Sequence, residues 1–504
     1  MYRLAFSLLL AGLCHPQVLT FRSAVDNSDQ PYAIYVPSAY GPEKKYPLVV
    51  SLHAANSNHR INLARVLGRG APDAIVAAPH ARGTMGYQGI PETDVYDVLA
   101  DVKRRYSVDD DRVYLTGPDM GGGGALWLGL TRPDLWAAVA PVCAIVPPEA
   151  EPLAPNALNL PVHLFHGDED PLAPVESARG WHKRLLSLGA HAEYAEYPGV
   201  RHNAWDFAYR NGAIFDWFAK FRRDRMPARV RFHTRAYKYD RAYWVRIDGL
   251  TPGAPASIDV RFTGKNRIEA AVRDLGGFTL SLAGHPQFSE TVPLTVVVDG
   301  ETLRHKGAAA SFRRTAKGWA PGRYEPPPGA KRPGSEGPLR EAIAARHLYV
   351  YGSGDSRDIA MRAAEWSSPR AKLLLTFAVK ADRDVTAEEL AGANLVLFGT
   401  AQTNSLIARL APHLPLELNP GAADYGLVFL APAAGRYIVV NSGLPWWTGA
   451  EALPWQVLQR FGDYVLFKKS LAHIVAEGRF TQDWKLPAEA ARKLQATGTV
   501  VVHR

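Results

Sequence analysis

Residues 31–225 alternate between short apolar runs and longer stretches whose apolar positions recur three and four apart. Tyr32-Ala33-Ile34-Tyr35-Val36-Pro37 alternates and stops at proline, as a strand near a sheet edge does. Leu48-Val49-Val50-Ser51-Leu52-His53 is apolar almost throughout, which predicts a strand buried on both faces. Residues 74–79 repeat that pattern. Val95, Val98, Leu99 and Val102 sit at helical spacing and predict a helix over 94–105. Further strands are predicted over 112–116, 137–142 and 162–166. Strands separated by helices of this length predict an α/β unit over residues 26–225. Its sheet should be doubly wound and mainly parallel, with right-handed crossovers.

The period shortens after residue 225. Tyr243-Trp244-Val245-Arg246-Ile247 alternates, as do residues 257–262, 278–282 and 294–298, and Pro252-Gly253 and Asp299-Gly300 mark turns. Residues 228–318 are therefore predicted to form a small β-sandwich-like module. Residues 320–338, which include Pro326-Pro327-Pro328-Gly329, read as an extended linker. From 339 to 504 the pattern predicts a C-terminal α/β domain. Buried strands are expected there at 348–351, 393–398 and 437–440, with helical stretches 358–366 and 403–410 between them.

Composition narrows the function classes. A chain of 504 residues is too long for one core, and 47% hydrophobic with 21% charged residues excludes disorder. The net charge is +9, yet the basic residues are scattered, with only short clusters such as Lys103-Arg104-Arg105 and Arg222-Arg223. A solvated basic surface is expected, and no nucleic-acid partner. Near the start, residues 4–13 are apolar, follow Arg3 and reach the small residues Ala11 and Gly12. That order predicts a signal peptide over 1–16 and a secreted or periplasmic protein. Its removal would take Cys14 and leave Cys143 as the one cysteine. No later stretch approaches the ~20 apolar residues of a transmembrane helix.

The chemistry concentrates in three places. Val113-Tyr114-Leu115-Thr116 runs into Gly117-Pro118-Asp119-Met120-Gly121-Gly122-Gly123-Gly124 and then into a helical stretch, so Asp119 tops a sharp strand-to-helix turn. Gly117 and Gly121, two residues either side, let the backbone turn tightly there. A late strand leads into His166-Gly167-Asp168-Glu169-Asp170-Pro171, and a loop further on reads Gly199-Val200-Arg201-His202. Turn, acid and histidine in that order can build a base held by a carboxylate and aimed at the turn.

These motifs resemble the α/β-hydrolase esterases and peptidases of the prolyl-oligopeptidase and polyhydroxyalkanoate-depolymerase-like class, near feruloyl and acetylxylan esterases. The resemblance covers residues 32–223 and implies hydrolysis of carboxylic esters, amides or polymers. It places Asp119 at the nucleophile position, Asp170 as the orienting acid and His202 as the base. It also implies an oxyanion hole made by the backbone N–H groups of Met120 and Ala54. This sequence departs from the pattern twice: Asp119 replaces the serine, and His53-Ala54-Ala55-Asn56 replaces the usual His-Gly. The first departure is the serious one. A carboxylate attacking an ordinary ester gives a high-energy anhydride, so an sp3 electrophile or a directly activated water suits aspartate better. His202 between two carboxylates is moreover expected to stay charged, which makes a poor general base.

Three readings stay open on the residues: a hydrolase of the esterase or peptidase type, a non-catalytic ligand-binding relative, and a carboxylate-nucleophile hydrolase of the epoxide or haloalkane type. Neither cofactor nor metal is expected, for want of a His-Glu-x-x-His or paired-cysteine motif. Tyr351-Gly352-Ser353-Gly354-Asp355-Ser356 lacks a Walker lysine and reads as a plain turn. His163 and His166 read as packing and turn residues, and Tyr437, Trp446 and Trp447 as aromatic core.

Overall fold

The computed structural model describes residues 16–68, 70, 72–353, 356–367, 375, 377–433 and 435–503. Cys14 and the expected signal peptide, except its last residue, lie outside the described residues, as do Gly354 and Asp355.

The first strands are β1 (Gln17–Arg22), β2 (Asp29–Tyr35), β3 (Tyr46–Ser51) and β4 (Ile75–Pro79). They are followed by β5 (Val108–Pro118), β6 (Ala138–Val142), β7 (Val162–Gly167) and β8 (Ala192–Tyr197). Together they form one eight-stranded sheet in the order β1-β2-β4-β3-β5-β6-β7-β8. β2 is antiparallel to both neighbours, and every pair from β4 through β8 is parallel. The sheet starts upstream of residue 26, because β1 pairs with β2 and leaves β2 one strand in from the edge.

Helices α1 (His59–Leu67), α2 (Ile90–Arg105), α3 (Met120–Thr131) and α4 (Val175–Ser187) wind this sheet, and a short helix, Ala213–Phe218, packs on it as well. The apolar runs serve two faces at once. Leu48, Val50 and Leu52 pack with Val95, Val98 and Leu126 of α2 and α3, while Val49 packs with Leu63 and Val66 of α1. Successive side chains point to opposite faces, so a continuous apolar run buries both. The Asn58 side chain caps α1, accepting from the N–H groups of Arg60 and Ile61 at 3.0 Å each. α2 starts at Ile90 rather than Asp94, because Pro91 is accommodated in the first turn, where its missing N–H costs nothing.

Behind β4 sits a fully buried cation. Arg82 Nε lies 2.6 Å from Asp94 of α2, and its terminal nitrogens reach Asp26 at 2.7 Å and Ser23 at 2.6 Å. The guanidinium fork thus ties the β1–β2 turn to α2 through bonds of fixed geometry.

Two five-stranded sheets follow. One holds Arg241–Ala242, Val245–Leu250, Leu275–Ser281, Ala309–Thr315 and Gly318–Pro321. The other holds Glu301–His305, Leu294–Val298, Arg267–Arg273, Ala256–Gly264 and Arg229–Thr234. Alternate residues of both, including Phe232, Trp244, Ile258, Phe278 and Phe312, share one hydrophobic cluster. Beyond them lies a seven-stranded sheet built around His347–Tyr351, Asn394–Phe398, Arg436–Gly443 and Tyr425–Ala433. Trp446 and Tyr437 are buried there, with Trp446 stacked on Phe398 at 5.6 Å.

The expected linker is not free. Ala330, Lys331, Ser335 and Glu336 are all buried. Lys331 Nζ meets Asp463 at 2.5 Å, and the Glu336 carboxylate accepts the N–H groups of Tyr237 and Lys238 at 2.6 and 2.8 Å. The Tyr437 hydroxyl in turn accepts the Glu336 N–H at 2.7 Å. The segment is therefore a strap between the five-stranded sheets and the seven-stranded one. Its proline-rich composition describes its extended backbone, and its charged residues supply the anchors.

Candidate active site

The chain passes from β3 to β4 on one side and then returns to β5 on the other, so β3 and β5 are neighbours that lead their connections in opposite directions. A crevice opens at the C-terminal ends of such a strand pair. Asp119 leaves β5 there, and residues 53–56 leave β3 beside it.

Asp119 has φ 57° and ψ −121°, a conformation rarely adopted by residues with a side chain. Its backbone is held there from three sides. The N–H donates to the Val142 carbonyl at 2.9 Å, and the C=O accepts from Gly123 at 3.0 Å and Ile145 at 3.2 Å. Gly121 lets α3 approach so closely that a Cβ would collide with the Leu52 carbonyl.

The sequence-predicted residues converge. His202, on the loop beyond β8, places Nδ1 2.8 Å from Asp170 Oδ2 and Nε2 3.2 Å from Asp119 Oδ1. Asp170 is held in turn: its Oδ1 accepts the N–H groups of Leu172 at 2.9 Å and Ala173 at 3.0 Å. His166, read from sequence as a turn residue, donates from Nε2 to the Ala173 carbonyl at 2.9 Å and lies 3.3 Å from Asp170. It braces the acid loop. His163 packs against Phe165 and Trp217.

One expected donor is shifted by a residue. The Ala55 N–H, not that of Ala54, donates to Asp119 Oδ2 at 2.8 Å. The Ala54 carbonyl instead lies 2.8 Å from His53 Nδ1. Tyr87 sets this register, because its hydroxyl accepts the His53 N–H at 2.8 Å and donates to the His53 carbonyl at 3.1 Å. Asn56 is pinned by Thr84 Oγ1 at 3.0 Å. No sequence motif marks Tyr87 or Ala55, since each acts through a contact with a distant segment, Tyr87 with His53 and Ala55 with Asp119.

The electrostatics follow from this packing. Burial pulls the His202 pKa down, but Asp119 and Asp170 outweigh it and hold the imidazole above its usual value. Burial pushes the Asp119 carboxyl up, yet His202 and the N–H groups of Met120 and Ala55 bring it below the ordinary aspartate range. Asp170 is lowered too, by the Ala173 N–H, His202 and the Leu172 N–H against the burial effect. His202 thus lies between two carboxylates that both favour its protonated form. The Ala55 and Met120 amides both point at the Asp119 carboxylate.

Linkage gives this triad a pH signature. The raised His202 pKa contributes stability that is complete below its unfolded value of 6.5 and lost as pH rises through the folded one. The lowered Asp119 and Asp170 values contribute stability present above 3.8 and lost as pH falls through their folded values. The natural chain should therefore exceed His202→Gln in stability most between pH 3.8 and 6.5. Denaturant midpoints at about pH 5.5 and about pH 9 check this. A gap that widens at the higher pH would refute the imidazolium assignment.

Among the described residues, no group of three or more histidine, cysteine, aspartate or glutamate side chains is placed to hold a metal ion. Nor is any described helix long and apolar enough to cross a membrane.

Residues 88–210 match the family described as phospholipase/carboxylesterase. Acyl-protein thioesterase 1 of Gibberella zeae is 30% identical over 99 residues, which are 19% of this chain and 42% of that protein. The chain thus spans less than half the length of that curated relative. A solved thermostable esterase is 26% identical, with 41% of this chain and 63% of that one covered at a TM-score of 0.37. A ferulic acid esterase is 19% identical, covering 41% and 98% at a TM-score of 0.35. The match over residues 88–210 and the winding of the eight-stranded sheet together support an α/β-hydrolase fold for this part of the chain.

Proposed function

We propose that this chain is a carboxylesterase-type hydrolase for small-molecule esters whose natural sequence turns over slowly, because Asp119 occupies its own oxyanion hole. The observation that carries this reading is the pair of contacts on one carboxylate, Ala55 N–H at 2.8 Å and His202 Nε2 at 3.2 Å. Asp119 is the nucleophile-position residue, Asp170 the orienting acid, and Met120 and Ala55 the oxyanion donors. The apolar stretch within residues 1–16 adds export to the secreted or periplasmic space to the proposal.

The chemistry open to this arrangement is water attack. Asp119 as a carboxylate can take a proton from water while the hydroxide adds to the ester carbonyl. His202 as an imidazolium can give its proton to the departing alkoxide. Asp119 then returns its proton to His202, and acid plus alcohol leave. The oxyanion donors help only if the carboxylate yields them, so the acceleration should be modest.

Hydrolysis of a short aryl ester by the natural chain, Asp119→Asn and His202→Gln tests this. Slow but saturable turnover is expected in the natural chain, falling about 10- to 100-fold in each variant, on the ordinary scale of one lost acid or base. Natural-chain turnover that Asp119→Asn leaves intact would overturn the water mechanism. No turnover in any of the three would leave a cleft that binds without reacting.

A further inference from the structure

A cavity of about 620 Å³ lies where the α/β-hydrolase domain, the five-stranded sheets and the seven-stranded sheet meet. Trp127, Arg235 and Arg479 line it from the three parts in turn, and Arg340 from the end of the strap. It is separate from the hydrolase site. Trp127 stands eight residues along α3 from Asp119, about 12 Å at the helical rise.

The cavity offers more cationic and N–H donors than carboxylates to meet them. Trp127 is buried, and its Nε1–H has no hydrogen-bond partner among the described residues; the same holds for Nε2 of Gln88. Arg479, Arg235 and Arg460 have no ion-pair partner among the described residues. Arg340 has only a 3.7 Å contact with Glu341, which also faces Lys238 at 3.8 Å. The acids lining the cavity are Glu149 and Glu341, outnumbered by Arg235, Arg340, Arg460 and Arg479.

Arg479 is placed rather than stray. Its side chain lies against Gly253, where a Cβ would collide with the guanidinium stem. Burial, joined by the like charge of Arg340, outweighs the attraction of Asp463, Glu336 and Glu341 and holds its pKa below the usual arginine value. Asp463 itself is already bound to Lys331 at 2.5 Å. A half-buried guanidinium beside another, with orphaned N–H groups across the cavity, is a costly arrangement on its own. An acceptor-rich anion answers every one of these groups.

We propose that this cavity binds a small organic anion, a carboxylate or phosphate on a polar frame, at a site separate from Asp119. The guanidiniums of Arg340 and Arg479 grip the charged group, and the Trp127 and Gln88 N–H groups bind neutral oxygens of the frame. Because the occupant touches both the eight-stranded part, through Gln88 and Trp127, and the seven-stranded part, through Arg340 and Arg479, it also holds them together.

Calorimetric titration of the full chain with glucuronate, inorganic phosphate and glucose tests this. At least one anion should bind saturably, with glucose about ten-fold weaker or more, and the better anion tells carboxylate from phosphate. Arg479→Gln and Arg340→Gln should each weaken that anion about ten-fold, while His202→Gln leaves it unchanged. Arg235→Gln, at an exposed position of the same lining, should also weaken the anion, and it keeps the test open if a more buried variant fails to fold. The anion should also raise the thermal midpoint of the natural chain. Absence of saturable binding up to about 10 mM, equal binding of glucose, or variants that bind like the natural chain would each overturn the proposal.

Discussion

Asp119→Ser is expected to hydrolyse a short aryl ester about a thousand-fold faster than the natural chain at pH 7–8, a part of the roughly million-fold by which a complete triad exceeds one without its nucleophile. On the proposed reading, the other groups that acyl transfer needs already stand in place. His202 is held by Asp170 at 2.8 Å, and the acid loop is braced by His166 and two backbone amides. The substitution does three things at once. It supplies a hydroxyl that can form a stable acyl ester, where a carboxylate would form an anhydride. It removes the carboxylate now bonded to Ala55, freeing that amide and Met120 for the oxyanion. It also takes away one of the two carboxylates that raise the His202 pKa, returning the imidazole toward a neutral base. The strained backbone at position 119 is set by its bonds to Val142, Gly123 and Ile145, and it does not depend on the side chain. A folded but inert variant would mean that the cleft no longer admits an ester in the reactive pose. A natural chain already as fast as the variant would mean that Asp119 is no obstacle.

The second large effect is on stability. Arg82→Met should cost about 3–5 kcal/mol at neutral pH, the usual loss when one partner of a buried ion pair is removed. Arg82, Asp26 and Asp94 have side chains with no solvent exposure, so the variant leaves two carboxylates without their cation. Burial already pushes Asp94 to about 6, against the pull of Arg82. Without that pull it should take up a proton more readily, so the loss should be smaller at about pH 5 than at about pH 8. Urea midpoints at both values measure it. An equal loss at both would place the cost in packing rather than charge. Adding Asp94→Asn should recover part of the stability, because the two positions share one interaction.

Much of this protein is legible in one dimension. The parallel strands are visible as apolar runs because a strand buried on both faces has no polar face to interrupt it, as at Leu48–Val50. The elbow is visible because the backbone at Asp119 needs glycine at 117 and 121, and glycine is a letter in the sequence. Asp170 and His202 are visible because each closes a recognisable motif in a set order. Their meeting is then what the winding of the sheet requires. Other features belong to through-space geometry alone. Whether Ala54 or Ala55 offers its N–H depends on how Tyr87 clamps His53, and a one-residue change of register leaves no trace in composition. The strap at 320–338 looks like a linker because extended backbone and turn residues are written locally, whereas the burial of Lys331 and Glu336 is decided by partners 463 and 237. The arginines of the shared cavity are spread from 235 to 479 and resemble any scattered surface charge until folding brings them together. Local period and turn chemistry act over a few residues and so are written along the chain. Registers, orphaned donors and buried charges are set by distant segments, and only the packed structure decides them.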